Sequence, residues 1–203
     1  MHITKQLFII CGLTLLVVGI SRCNDPVPDE VEDLYPQEQI PWPSLADTPW
    51  PIERCDAQGT GRSQYAGPNL GELFISNGDT VWVEGSSVLG EDNTAYFIGK
   101  RMGGDILLVK RSASNETLWA VPFTGSLENS YTPTIASNGT IYVSDGIAGT
   151  VAAFLGTDGS LLWSKQVGNH MKSGVSLDYN GNLYVIYGDD HTLTSLDQDG
   201  NIR

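Results

Sequence analysis

Beyond about residue 70, apolar residues come in short runs and alternations rich in Val, Ile, Tyr, Leu and Thr, such as AYFIGK, DILLVK, TIYVS, TVAAFL and NLYVI. No window keeps a helical period, and the runs are bounded by Asn-Gly and Asp-Gly pairs, whose tolerance of positive φ suits tight hairpins. These pairs are Asn77-Gly78, Asn138-Gly139, Asp158-Gly159, Asn180-Gly181 and Asp199-Gly200. The pattern predicts an all-β chain of short antiparallel strands.

The spacing of the pairs carries more than their presence. SNGTIYVS (137–144) matches YNGNLYVI (179–186) at an offset of 42, and Asp158-Gly159 matches Asp199-Gly200 at 41. Trp119 and Trp163 stand 44 residues apart in equivalent places. A period of this length implies four-stranded units, each with two apolar faces that only a neighbouring unit can cover. Trp119, Trp163, Gly139, Gly159, Gly181 and Gly200 mark the repeat. A third copy, SNGDTVWVE (76–84), precedes the second by 61 residues, so the first unit is expected to carry an insertion of about twenty residues within 84–104. The expected units cover about 70–122, 131–166 and 173–203.

The chain ahead of these units is different. Leu7–Ile20 is uncharged and apolar, with Lys5 before it and Arg22 after it, the layout of an export signal. Fourteen helical residues reach about 21 Å, short of the roughly 30 Å hydrocarbon core, which favours a signal over a retained anchor. Residues 24–56 hold seven of the ten prolines and nine acidic residues against one basic residue, Arg54. Such a composition buries too little to order itself, so 1–22 is expected to be a signal peptide and 23–55 a disordered tether. The alternative for the tether is that Trp42 and Trp50 pack onto the folded body.

Two resemblances follow. Ile20-Ser21-Arg22-Cys23 resembles a bacterial lipobox, which implies lipidation of Cys23 and a location in the bacterial cell envelope, whether periplasm, outer membrane or cell surface. AFLGTDGSLLW (153–163) resembles the PQQ-like repeat of quinoprotein-type β-propellers, with Ala153, Gly159 and Trp163 in place. SLDQDGNIR (195–203) is similar to its shorter variant, and VKRSASNETLW (109–119) keeps the spacing to Trp119 with Asn115 in place of Gly. DAQGTGRSQYAGP (56–68) looks like the segment ahead of many such propellers. The resemblance implies a partial or open β-propeller of about three blades, cut off in the third, since a fourth-strand tryptophan would fall one residue after Arg203. Whole propellers have about four to eight blades, so a truncated product is expected.

The family builds both quinone dehydrogenases and non-enzymatic scaffolds. A dehydrogenase would need PQQ with calcium, an acidic base and often a vicinal disulfide. The three cysteines, Cys11, Cys23 and Cys55, include no adjacent pair. Asp178-Tyr179-Asn180-Gly181-Asn182 and Asp197-Gln198-Asp199-Gly200-Asn201 are oxygen-rich, but neither runs on to the distal Glu of a calcium loop, and both suit hairpin turns. His170, His191, Asp189 and Asp190 are read as solvated loop residues. TDGSLLW touches the sialidase Asp-box but has the wrong spacing and no arginine cluster. Asn115-Glu116-Thr117 and Asn138-Gly139-Thr140 are read as turns, not as glycan acceptors.

A net charge of −13 disfavours nucleic acid. The reading is therefore an exported scaffold that binds a protein partner, uses no cofactor and reaches the membrane through lipid on Cys23. Lys100 and Arg101, cations in the expected insertion, are the candidate contact.

Overall fold

The computed structural model describes residues 40–61, 81–101, 104–123 and 131–203. The signal-like segment, Cys23, Asn77-Gly78 and residues 62–68 lie outside them.

Among the described residues, eleven strands are arranged in three antiparallel sheets. Sheet 1 has β1 (Val81–Leu89), β2 (Ala95–Arg101), β3 (Ile106–Arg111) and β4 (Thr117–Pro122) in that order. Sheet 2 has β5 (Thr134–Ile135), β6 (Thr140–Asp145), β7 (Thr150–Leu155) and β8 (Leu161–Gln166). Sheet 3 has β9 (Ser176–Leu177), β10 (Leu183–Tyr187) and β11 (Thr192–Leu196), and an isolated bridge from Ile202 to Leu196 begins a fourth position at its edge. Among the described residues there is no α-helix, only a 3₁₀ turn at Glu91–Asn93. Every connection within a sheet is a meander between neighbours, so short hairpin turns suffice.

Side-chain alternation along the strands decides what lies between the sheets. One face of sheet 1 (Tyr96, Ile98 and Leu108) meets one face of sheet 2 (Ile141, Val143, Ala152 and Phe154) in a shared core. The opposite face of sheet 2 (Tyr142, Val151 and Ala153) meets sheet 3 through Leu177, Leu183, Val185 and Leu196. Phe97, Leu107 and Val109 are buried on the other face of sheet 1. The two central strands of sheet 2 are thus covered on both faces, which is why β6 is buried at all six positions rather than at alternate ones.

The structure corrects the sequence reading in two places. Residues 84–101, placed by the sequence reading in an insertion over 84–104, form the end of β1, the 3₁₀ turn and β2, which pairs from Val81↔Arg101 to Leu89↔Ala95 around a bulge between Glu84 and Val88. The counterpart of Thr140-Ile141-Tyr142 is therefore Thr94-Ala95-Tyr96, at an offset of 46, and SNGDTVWVE is no copy of it. The signal was hidden because Asn93, at φ 56°, takes the left-handed position that Gly139 (81°) and Gly181 (82°) hold in the other sheets. Asparagine tolerates that region better than other non-glycine residues. Asn115, at φ 66°, stands in the same way for Gly159 and Gly200.

The second correction concerns 40–55, expected to be a disordered tether. Residues 40–52 form a strap that joins the first strands of all three sheets. Trp50 bridges Leu89 at the end of β1, and Leu45 bridges Ala136 just after β5. Trp42 Nε1 donates to Leu177 O at 2.9 Å in β9, and Ser44 Oγ donates to Asp178 O. Ile135 N donates to Pro51 O at 2.8 Å, and Ala46 N to Ile135 O at 3.0 Å. Composition misled because prolines remove donors, yet here the sheet edges provide donors to the strap's carbonyls, and Leu45 gains a buried site.

Candidate functional site

The strap contacts fix which ends of the sheets lie together. The turns β1–β2, β5–β6 and β9–β10 share one rim, and because each sheet is a meander the β3–β4 and β7–β8 turns and the 197–200 turn fall at the same end. On this rim the repeat glycines and tryptophans interlock. A Cβ built on Gly159 would lie 2.9 Å from Trp119 Cε3, and one on Gly200 would lie 2.8 Å from Trp163 Cε3. Each Asx-Gly turn therefore lies flat on the indole of the preceding sheet. Trp119 and Trp163 in turn pack against Tyr96 and Tyr142, with ring centroids 5.8 and 6.0 Å apart.

Polar groups complete each interlock differently. Trp163 Nε1 donates to Gln198 O at 2.8 Å, whereas Trp119 Nε1 is buried without a hydrogen-bond partner. Sheet 1 instead reaches sheet 2 through Gly156 O, which accepts from Lys110 Nζ at 3.0 Å and Tyr96 Oη at 3.3 Å. Lys110 Nζ also sits 5.1 Å from the centroid of the Tyr96 ring. Gly139 and Gly181 have the same positive φ but lie under no tryptophan. A Cβ on Gly181 would instead meet Gln198 Nε2 at 2.4 Å, and one on Gly139 would meet nothing within 4 Å.

The two oxygen-rich loops belong to this rim. Asp178 Oδ1 accepts from the backbone of Asn180 and Asn182, both at 2.9 Å, and its Oδ2 from Asn182 Nδ2 at 2.7 Å and Tyr184 Oη at 3.3 Å. Asp197 accepts from the backbone of Asp199 and Asn201 and from Asn201 Nδ2. Both carboxylates are thus filled by protein donors. Among the described residues no three His, Cys, Asp or Glu side chains converge on a point where a cation could sit.

The same bonds set the titration of these groups. For Asp178, burial pushes the carboxyl up, but donation from the Asn182 side chain, from the Asn182 and Asn180 backbone and from Tyr184 outweighs it and holds the pKa below the ordinary carboxylate value. For Asp197, hydrogen bonds from Asn201 lead the same depression, with Arg203 adding to it. A depressed folded pKa means stability that is present above the unfolded value, about 3.9, and lost as pH falls through it toward the folded pKa. The urea midpoint is therefore expected to drop between about pH 5 and pH 3. Asp178→Asn should drop less over the same interval; equal drops would assign the acid sensitivity to other groups.

A shallow cleft of about 150 Å³ opens between the β5–β6 and β9–β10 turns, lined by Pro43 and Ser44 of the strap, Asn138, Tyr179, Asn180 and Gln198. Tyr179 is exposed and meets Trp42 edge-on at 6.4 Å. Lys100 and Arg101 lie elsewhere, at the end of β2 on the opposite rim, with Arg101 exposed. On that rim Lys172 Nζ pairs with Asp189 Oδ1 at 3.3 Å. His170 and His191 are exposed corners at φ 48° and 55°. Cys55 donates to Pro49 O at 3.5 Å, and burial followed by the neighbouring Asp56 carboxylate pushes its thiol up, away from a reactive thiolate.

Sequence reasoning missed the outer strands. Leu118 of β4 and Leu161 and Leu162 of β8 are 51–57% exposed. In both strands the tryptophan that docks inward is preceded by a leucine, Leu118 or Leu162, that falls at a register shift and is left exposed, so simple alternation along the sequence does not place it.

No family model and no curated relative matches the chain. Among solved structures, virginiamycin B lyase from Staphylococcus aureus, a β-propeller, superposes with a TM-score of 0.50 at 15% identity over 64% of this chain and 43% of that one. A protein of unknown function from Bacteroides caccae gives 0.46 at 17% identity over 63% and 47%. The chain thus spans less than half the length of either. At these identities the likeness concerns fold alone, and with the stacked four-stranded meanders it makes the described body a partial, open β-propeller.

Proposed function

We propose that the chain is an exported propeller of the PQQ-like repeat type that serves as a protein-binding or assembly scaffold at the bacterial cell envelope, tethered through lipid on Cys23. The observation that carries this reading is the exposure of Leu118, Leu161 and Leu162 on the outer strands. Large apolar side chains left in water on outer strands offer a protein partner apolar surface to bury. The filled carboxylates of Asp178 and Asp197 support the same preference over a dehydrogenase. Arg101 stays a second candidate contact, now as a strand end and not as part of an inserted loop.

Photo-crosslinkers placed at Leu162, Arg101 and, as a comparison, Asn138 test it in intact envelope of the source cell. A discrete protein adduct from Leu162 or Arg101 that Asn138 does not give is the expected result. The scaffold reading is lost if no position gives an adduct while the purified chain, supplied with PQQ and calcium, takes up quinone stoichiometrically by absorbance.

A further inference from the structure

The turns of sheets 2 and 3 occupy equivalent places in the repeat but do not carry equivalent side chains. Ser137 stands where sheet 3 has Tyr179, and Thr157 stands where it has Gln198. The fold therefore makes no demand for a tyrosine or a long amide at these corners. Tyr179 nevertheless stays 60% exposed on the wall of the 150 Å³ cleft, with Asn138, Asn180 and Gln198 around it.

The cleft is held in shape from several sides. The bond from Trp42 Nε1 to Leu177 O sets the indole edge-on to the Tyr179 ring, and Ser44 Oγ on Asp178 O fixes the strap beside it. Gln198 Nε2 donates to Asn180 O at 3.3 Å, and it reaches that oxygen because position 181 is a glycine with no Cβ in the way. The turn backbones are already committed: Asn180 N donates to Asp178 Oδ1, Gly181 N to Asp178 O, Thr140 N to Asn138 Oδ1 and Gly139 N to Ala136 O. Hydrogen bonding to a ligand falls to side chains. Among the described residues, Asn138 Nδ2, the Asn180 amide, Gln198 Oε1 and Tyr179 Oη have no protein partner. No charged side chain lines the cleft, so it selects neither an anion nor an amine.

We infer that this cleft is a subsite for one pyranose ring of a neutral saccharide, with Tyr179 as its platform. A pyranose has an apolar C–H face, which an exposed aromatic ring covers, and a rim of hydroxyls that both donate and accept, as primary amides do. The volume is well below the roughly 300–1,000 Å³ of pockets that bury a drug-sized ligand, which suits a single ring with the rest of its chain in solvent. Because the walls are pinned before any ligand arrives, little ordering is left to oppose binding. A peptide strand is the poorer occupant. The bonded turn N–H groups cannot pair with its carbonyls, and the lining offers its side chains no charge.

Saturation-transfer NMR on the full 203-residue chain tests this, with maltotetraose, cellotetraose, mannotetraose and tetra-N-acetylchitotetraose as probes and a neutral hexapeptide containing tyrosine and proline as comparison. At least one saccharide is expected to receive saturation, most strongly at the C–H protons of one ring. Its affinity should fall by about tenfold or more in Tyr179→Ala, remain largely intact in Tyr179→Phe, and stay unchanged in Lys165→Ala on the outer strand of sheet 2. Gln198→Ala, at an exposed position, should also weaken binding and serves where Tyr179→Ala fails to fold, which urea unfolding of each variant shows. Absence of saturation in all four saccharides overturns the inference, and so does equal affinity in the unchanged chain and the folded cleft variants. Binding of the hexapeptide at Tyr179 in place of the saccharides overturns it as well, and would make the cleft a peptide site.

Discussion

Gly159→Ala is expected to lower the stability of the folded chain by about 2–5 kcal/mol, against about 1–2 kcal/mol for the same change at Gly139. Both residues sit at nearly the same left-handed φ, 77° and 81°, so the backbone strain of a side chain there is shared. Only the surroundings differ. Around Gly139 nothing lies within 4 Å of a built Cβ, while at Gly159 Trp119 Cε3 and Val121 Cγ1 both lie at 2.9 Å. Those two side chains border the core between sheets 1 and 2, so neither can move without disturbing Tyr96 and its neighbours. Urea unfolding of the two variants measures the difference directly. If Gly159→Ala and Gly139→Ala cost the same, the turn does not bear on the indole, and the interlock between sheets is wrong. Gly200→Ala, with Trp163 Cε3 at 2.8 Å, should behave like Gly159→Ala.

Leu45→Ala should cost about 2–4 kcal/mol, a core-sized loss from a segment whose composition looks like a linker. Leu45 is 8% exposed and packs in the same cluster as Tyr142, Val151 and Leu183. Its removal leaves a void at a place where the strap is pinned on both sides by backbone bonds and cannot collapse to fill it. Trp42→Ala, which gives up the bond to Leu177 and the contact with Tyr179, should add to it less than the sum of the separate losses, because both act on one strap. A cost below about 1 kcal/mol for Leu45→Ala would return residues 40–52 to the role of a spacer.

Much of the blade architecture could be read along the chain because its devices are local. An Asn-Gly or Asp-Gly pair declares a hairpin by itself, and the offsets of 41, 42 and 44 follow from counting. Where the device changed its residue the count failed. Asn93 performs the turn that Gly139 and Gly181 perform, so the first sheet was misaligned and β2 was taken for an insertion. Lys100 and Arg101, chosen as cations within that expected insertion, belong to a regular strand end. The exposed leucines of the outer strands went unnoticed because a leucine beside a tryptophan reads as core until the sheet shows which side of the strand it occupies.

Residue order alone determined the all-β character, the period, the recurrence of the Trp and Gly positions and the negative net charge, since each depends on near neighbours, on spacing or on a simple sum of charges. Tertiary structure decided the rest. That both faces of sheet 2 are covered, that the carboxylates of Asp178 and Asp197 are filled, and that a proline-rich segment joins three sheet edges all depend on groups brought together from far apart in the chain. Trp42 and Leu177 are 135 residues distant. Unlike a hairpin turn, a hydrogen bond over that distance forms only after the sheets have stacked, so it leaves no local pattern in the sequence.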